Sequence, residues 1–234
     1  MSKIEVSRYV VQEFQAAEAM KTLRTNLMFC GESVRAVALT SFSASEGKSS
    51  ISFQLAASLA QTGKRVLLLD TDLRKSMLQS RLKVRGKVDG MTHYLSGMSD
   101  LQELICETDI PSMDIVFAGV TTPNAAELLG GNRFKEMIRD LKEKYDYVIV
   151  DAAPLGQVID CAVMAPVLDG VLIVVDTTHN SYKLEKRLKG QLEKSGGKIL
   201  GVVLNRVDFN DKSGYYGKAY GYGGKYGYGD ESAK

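Results

Sequence analysis

The sequence predicts a doubly wound α/β fold, in which helices cover both faces of a mainly parallel sheet. Apolar, β-branched runs alternate along the chain with segments of helical periodicity, which is typical of βαβ units. Runs such as RVLLL and YVIVD are apolar throughout, as in central strands that are buried on both faces. The 234-residue chain is also 44% hydrophobic and 25% charged, so one domain with a substantial core is expected.

Charge, cysteine content and hydropathy exclude several classes of protein. The 30 Lys and Arg residues nearly balance the 28 Asp and Glu residues, and a net charge of +2 gives no reason to expect a nucleic-acid partner. The three cysteines are far apart, odd in number and in no metal-binding spacing, which suits buried thiols in a reducing cytoplasm better than disulfides. No signal peptide or long uninterrupted apolar span is recognisable, so we expect a cytoplasmic chain.

A helix is expected before the first strand, over residues 10–29 of an N-terminal segment that spans residues 1–33. The apolar residues that recur there at helical spacings are Val10, Phe14, Ala17, Met20 and Leu27. On the same helix Glu18, Lys21 and Arg24 are spaced by three, so they step around the axis by about 60° each and share one broad face. That face is either a solvated charged side or a contact with a partner.

The first predicted strand, VRAVALTS, leads into a loop of small residues that ends in Gly47-Lys48-Ser49, and a helix follows at once. This pattern is typical of a phosphate-binding loop, in which Gly47 lets the backbone approach an anion, Lys48 reaches the outer phosphates and Ser49 can ligate Mg²⁺. The general pattern also has a glycine where Phe42 stands, and a serine-rich helix N-terminus is the alternative interpretation. The residues expected to contact a nucleotide are Ser43, Ala44, Ser45, Glu46, Gly47, Lys48, Ser49 and Ser50.

Two later strands end in carboxylates. In VLLLDTDLRKS, Asp70 and Asp72 follow an apolar strand at a spacing of two, which puts both side chains on one side if the strand geometry persists. In YVIVDAAP, Asp151 ends another apolar strand. Parallel strands bring their carboxyl ends to one edge of the sheet, so these carboxylates should meet the loop there. A single strand-end Asp is ordinarily a turn or cap residue, but three beside a Gly-Lys-Ser loop predict nucleotide and Mg²⁺ binding.

The folded domain should span residues 34–209 and end after the last predicted strand, ILGVVLNRVD. Residues 210–234 are rich in glycine and tyrosine and have too little branched apolar surface to offset the entropy of ordering, so we expect a disordered tail. Its tyrosines are either part of an adhesive tract or phenols kept exposed for a reaction. They are Tyr215, Tyr216, Tyr220, Tyr222, Tyr226 and Tyr228.

Five stretches and the tyrosine cluster carry a resemblance to a known family. The stretches are SASEGKSS, LLLDTDLRKS, YVIVDAAP, TPNAAELLGGNRF and VVLNRVD. They resemble the bacterial tyrosine kinases of capsular and exopolysaccharide synthesis, in the form whose catalytic chain is separate from its membrane activator. The resemblance covers most of the chain and implies a P-loop NTPase-like fold. The sequence departs from the family at Ser45 and Glu46, where glycine or another small residue is frequent, and at Ala153, where a second proline is usual.

The resemblance implies a protein-tyrosine kinase that uses ATP and Mg²⁺. Lys48 would neutralise charge on the β- and γ-phosphates, and Mg²⁺ would be held by Ser49, Asp70 and Asp151. Asp72 is the candidate to orient or deprotonate the incoming phenol. The tail tyrosines would be the acceptors, and glycine on their flanks would let an extended chain enter a cleft.

Three further residues are assigned to the nucleotide by the same resemblance. Arg74 would pair with phosphate or with an Asp, and a plain surface ion pair explains it equally well. The superfamily contacts adenine at the strand end that carries Asn205 and Arg206 here. An Asn at a strand end is, however, often only a turn former.

The family also implies partners. It joins subunits into a ring through an acid and two basic residues at the spacing of Glu18, Lys21 and Arg24, although Lys21 replaces the usual arginine. We therefore expect phosphorylation in trans within a ring, and dissociation of phosphorylated subunits. A membrane-anchored activator and chain-length regulator would recruit the kinase to the inner face of the membrane, and a cognate tyrosine phosphatase would reverse the reaction.

Two alternative functions fit a phosphate loop as well. One is a switch ATPase of the septum-placement or chromosome-partition kind, which transfers nothing to tyrosine. Those ATPases carry a signature lysine early in the loop, where this chain has Ser43. The other is a catalytically silent nucleotide-binding scaffold whose tail is a docking strip, and it would show no dependence on Asp72.

Overall fold

The structure, a computed structural model, describes residues 3–84, 86, 88–178 and 182–207. The strands in these ranges are Ala36–Ser41 (β1), Val66–Asp70 (β2), Cys106–Glu107 (β3), Met113–Val116 (β4), Tyr147–Asp151 (β5), Gly170–Asp176 (β6) and Ile199–Asn205 (β7). The α-helices are Phe14–Phe29 (α1), Lys48–Ala60 (α2), Leu78–Arg81 (α3), Met91–Leu95 (α4), Leu101–Leu104 (α5), Ala125–Gly130 (α6), Asn132–Lys144 (α7), Asp160–Met164 (α8) and Tyr182–Lys194 (α9). In this described part of the chain, no helix is both long and apolar enough to cross a membrane.

The strands form one sheet in the order β3-β4-β2-β5-β1-β6-β7. All neighbouring pairs are parallel except β3 with β4, so the predicted mainly parallel sheet is confirmed. The short antiparallel β3 at one edge was not predicted, because two residues carry no recognisable strand pattern. The parallel strands end at one edge of the sheet, and their register places Asp70 directly beside Asp151.

Helices cover both faces of the sheet, which explains the continuous apolar strands. On β5, Val148 and Val150 belong to the core on one face, and Ile149 belongs to the core on the other. Helix α7 covers the first face with an amphipathic pattern, and its buried residues are Phe134, Met137, Ile138 and Leu141. Helix α2 packs on the opposite face, where Phe53 and Leu55 are buried, so the phosphate-loop helix is anchored in the core.

The N-terminal segment differs from its prediction. Helix α1 begins at Phe14 instead of residue 10, because the Gln54 side chain holds the extended chain ahead of it. The Gln54 amide donates to the carbonyl of Tyr9 at 2.7 Å and accepts from the N–H of Val11 at 3.0 Å. Leu27 is buried as the apolar spacing suggested, but the Phe14 side chain is 77% exposed. The spacing alone therefore did not identify the buried face of this helix.

Candidate active site

The loop between β1 and α2 has the backbone that a phosphate-binding loop requires. Ser45 has a φ of 66° and Gly47 a φ of 93°, so two left-handed residues turn the chain before α2 begins at Lys48. A Cβ at residue 47 would overlap the side-chain nitrogen of Asn205, so glycine is needed for space as well as for conformation. The turn leaves the N-terminal amides of a 13-residue helix at the edge of the sheet where the parallel strands end, and these amides favour an anion there.

Phe42, which replaces a glycine of the general pattern, is accommodated by a second glycine. Its ring packs against the core, and its carbonyl lies so close to Gly156 that a Cβ at that position would overlap it. The Phe42 N–H donates to the Glu46 carboxylate at 3.1 Å. Glu46 is 5% exposed, so its carboxylate stabilises the turn from within the loop. Gly156 was not identified from the sequence, because nothing local marks a glycine that contacts a distant loop.

Lys48 lies among the three predicted carboxylates. Its ammonium nitrogen is 3.4 Å from Asp72 Oδ2 and 3.5 Å from Asp151 Oδ1, and the side chains of all three residues are at most 10% exposed. Burial opposes the charged form of Lys48, but the attraction of Asp151, Asp72 and Asp70 outweighs it and raises the pKa of the lysine. The structure thus brings Lys48, Asp70, Asp72 and Asp151 together at one place, as the sequence suggested.

The adjacent carboxyl groups of Asp70 and Asp151 are costly to ionise together unless a further cation lies beside them. Burial and the Asp151 charge raise the pKa of Asp70 to about 7, although a hydrogen bond from the Ser76 hydroxyl acts to lower it. Burial also raises the pKa of Asp151, although Lys48 and the hydroxyls of Ser49 and Ser52 favour its ionised form. A divalent cation would offset this cost.

The oxygen donors at this position fit Mg²⁺. Asp70, Asp151 and Ser49 offer two carboxylates and a hydroxyl, which are the hard ligands that this ion prefers. Within the described ranges, no three His, Cys, Asp or Glu side chains form a metal cluster. Mg²⁺ in nucleotide sites needs no such cluster, because it takes one or two carboxylates and completes its shell with phosphate oxygens and water.

The end of β7 contacts the phosphate loop. The side-chain amide of Asn205 donates to the carbonyl of Glu46 at 2.9 Å, and Arg206 donates to the carbonyl of Ser45 at 3.1 Å. The Arg206 guanidinium also pairs with Asp176, a buried residue at the end of β6. These two predicted residues therefore lie at the site, and Asp176 joins them. The sequence offered a signal for Asp176, since it ends an apolar strand as Asp151 does.

Arg74 is engaged with Asp160 and with the carbonyl of Pro123. Its guanidinium makes two hydrogen bonds to Asp160, at 2.7 Å from Nε and 3.0 Å from Nη2, and Nη1 donates to the carbonyl of Pro123 at 3.1 Å. Asp160 raises the pKa of Arg74 further. Of the two partners considered for this residue, the structure places it with an Asp. Nothing in the local sequence singled out Asp160, whose carboxylate is fully buried at the start of α8.

The three residues on the N-terminal helix do not share one environment. Lys21 and Glu18 form an exposed ion pair at 2.6 Å. Arg24 instead turns inward and donates to the carbonyl of Ser58 in α2 at 2.8 Å. The predicted acceptor tyrosines of residues 210–234 lie outside the described residues.

Comparison with known proteins finds relatives over most of the chain. Residues 34–194 match the family model of the AAA domain. The tyrosine-protein kinase CpsD of Streptococcus agalactiae is 38% identical over 218 residues, which cover 93% of this chain and 94% of that protein.

Solved structures show the same relationship. The kinase domain of the Escherichia coli tyrosine kinase ETK has a TM-score of 0.80 and 31% identity, and the match covers 86% of this chain and 79% of that one. The septum site-determining protein MinD of Pyrococcus horikoshii, complexed with Mg-ADP, has a TM-score of 0.64 and 23% identity, over 76% of this chain and 72% of that one. The second likeness is one of fold alone, and it confirms the predicted P-loop NTPase-like architecture.

Proposed function

This chain belongs to the bacterial tyrosine-protein kinases, and we propose that it phosphorylates the C-terminal tyrosines of a neighbouring copy, using ATP and Mg²⁺. The proposed acceptors are Tyr215, Tyr216, Tyr220, Tyr222, Tyr226 and Tyr228. The observation that supports the proposal best is the placement of Lys48 between Asp72 and Asp151 directly after the phosphate loop. That arrangement supplies a cation for the transferring phosphate and a carboxylate for the attacking phenol.

Phosphoryl transfer needs positioning and charge neutralisation more than covalent chemistry. Lys48 would exchange its carboxylate partners for phosphate oxygens, while the amides of the loop and of the α2 N-terminus hold the rest of the triphosphate. Asp72 would accept the phenol proton as the oxygen attacks the γ-phosphorus and the bond to the ADP oxygen breaks. Mg²⁺, held by Ser49, Asp70 and Asp151, would neutralise charge on the phosphates.

We further propose the partners that the family resemblance implied. A membrane-anchored activator and chain-length regulator would bring the kinase to the inner face of the membrane, where it would regulate capsular or exopolysaccharide synthesis. The exposed Glu18 and Lys21 are available for a ring contact between subunits, whereas Arg24 would have to leave Ser58 to join it. Each phosphate adds about −1.5 to −2 to a tail, so repulsion would then release phosphorylated subunits, and a tyrosine phosphatase would reset them.

Intact mass after incubation with Mg²⁺-ATP tests the transfer, with and without the cytoplasmic segment of the activator. Wild type should gain phosphate increments, and Lys48→Met and a chain ending at Asn210 should gain none. Lys144→Met is a matched control, because this exposed lysine at the end of α7 is remote from the site, and it should behave as wild type. Phosphate released into solution without any increment on the protein would refute the kinase proposal and favour the switch ATPase.

A further inference from the structure

We propose that Arg74 is a positioning residue for phosphoryl transfer and not a ligand of the nucleotide. It fixes the turn that carries Asp72 by joining the loops that follow β2, β4 and β5. The inference rests on the proposed kinase function, because it assigns a role within that site. It also chooses between the two partners that the sequence left open for this arginine.

Arg74 joins the starts of two helices. Asp160, which receives the Nε and Nη2 hydrogen bonds, is the first residue of α8, and Pro123, whose carbonyl receives the Nη1 bond, lies two residues before α6. The Arg74 side chain is 32% exposed, whereas the Asp160 side chain is fully buried. The guanidinium therefore spans from a buried carboxylate to a surface loop.

The main chain strengthens the same connection. The carbonyl of Leu73 accepts a hydrogen bond from the N–H of Thr122 at 2.9 Å, so the turn after β2 is tied to the loop after β4 both through the main chain of Leu73 and through the side chain of Arg74. Within the turn, the N–H of Lys75 donates to Asp72 Oδ1 at 3.0 Å. This leaves Asp72 Oδ2 directed at the Lys48 ammonium. A shift of the turn would consequently move the carboxylate that faces the reacting groups.

The same contacts argue against phosphate binding by Arg74. Three of its N–H groups are already engaged, and two of them form a bidentate pair with Asp160. Turning the guanidinium toward a phosphate would leave the Asp160 carboxylate buried and unpaired, which is strongly unfavourable. A lysine in its place keeps the charge but cannot form both bonds, so the pair has a geometric role that charge alone does not fill.

Kinetics of Arg74→Lys, Asp160→Asn and the double variant test the proposal, with affinity measured by titration of a fluorescent ATP analogue. We expect each single change to lower kcat for tail phosphorylation at least tenfold, and the double change to add little, because both break one pair. Affinity for the analogue should stay within twofold of wild type. The matched control is Arg139→Lys with Asp140→Asn, an exposed ion pair on α7 whose loss should change neither quantity.

Each of the following results would overturn the proposal. Loss of analogue affinity in the Arg74→Lys protein, but not in Asp160→Asn, would make Arg74 a phosphate ligand. A lowered melting temperature with unchanged kcat in both would reduce the pair to a purely structural one. Absence of transfer by wild type would overturn the kinase function and this role together, whereas unchanged transfer by the variants overturns only the role. Asp160→Asn carries the same test if Arg74→Lys does not fold.

Discussion

Replacing Gly47 by alanine should lower the free energy of unfolding by about 2 to 3 kcal/mol. The residue has a φ of 93°, and a side chain in the left-handed region costs about 1–2 kcal/mol. The new Cβ would also overlap the amide nitrogen of Asn205 and displace it from the carbonyl of Glu46. That hydrogen bond contributes about 1 kcal/mol, and its loss adds to the backbone strain.

A double-mutant cycle separates the strain from the overlap. Urea unfolding followed by circular dichroism suits a chain that has no tryptophan, and it should give a loss of about 1 kcal/mol for Asn205→Ala alone. In that background Gly47→Ala should cost only the strain, so the pair should show a coupling energy of about 1 kcal/mol. If the two single losses simply add, Asn205 does not obstruct residue 47 and the steric reasoning is wrong.

Three other predictions concern a glycine of the site, an ion pair and the contact between subunits. Gly156→Ala should weaken binding of a fluorescent ATP analogue, because its Cβ would lie 2.2 Å from the Phe42 carbonyl oxygen and 2.7 Å from Phe42 Cδ2, and unchanged binding would contradict this. Gly190→Ala, in open space within α9, is the control, which should leave binding unchanged and stabilise the fold by about 0.5–1 kcal/mol. Burial opposes ionisation of Asp169, but Lys142 and two backbone N–H groups outweigh it and lower the pKa of this carboxyl. The ionised carboxylate therefore stabilises the fold at pH values above its unfolded-state pKa, and this stabilisation is lost as the pH falls through its folded-state pKa. In Asp169→Asn the free energy of unfolding should therefore fall less steeply with decreasing pH below about pH 4 than in wild type, and the same pH dependence in both proteins would refute this. Lys21→Arg should tighten self-association, measured by sedimentation, by up to about fivefold, because arginine can pair bidentately with a Glu18 carboxylate. Unchanged self-association would argue against a contact between subunits through Glu18 and Lys21.

The sequence predicted the sheet and the cluster of carboxylates at its edge because both depend on local patterns. An apolar strand buried on both faces can be recognised without knowing its neighbours, and parallel strands must end at one edge. Asp70 and Asp151 could therefore be placed together from their positions at two strand ends, and the register of β2 with β5 confirms it. Gly47 was recognised as the glycine of the loop from the strand before it and the helix after it, and the structure adds its left-handed conformation.

Contacts between distant loops could not be predicted. Gly156 accommodates Phe42 and Asp160 holds Arg74, yet the partners are separated by more than 80 residues and neither pair has a local signature. Helix α1 shows a related limit, because its buried face depends on where α2 lies. Apolar spacing identified a helix there, but it could not show that Phe14 faces solvent.

The charges of Lys48 and the nearby carboxylates, at the edge of the sheet where the parallel strands end, link these observations to activity. Lys48 faces three carboxylates that are almost completely buried, and burial raises the pKa of Asp70 and of Asp151, so ionising both of them without a further cation is costly. Such a site is destabilising by itself, and it persists because β2 and β5 are fully buried and hold Asp70 and Asp151 in fixed register. The Mg²⁺ that enters with ATP would supply the missing cation beside Asp70 and Asp151 and relieve the repulsion between them. Nucleotide binding should therefore stabilise the fold, and the same preorganised charges would then act on the transferring phosphate.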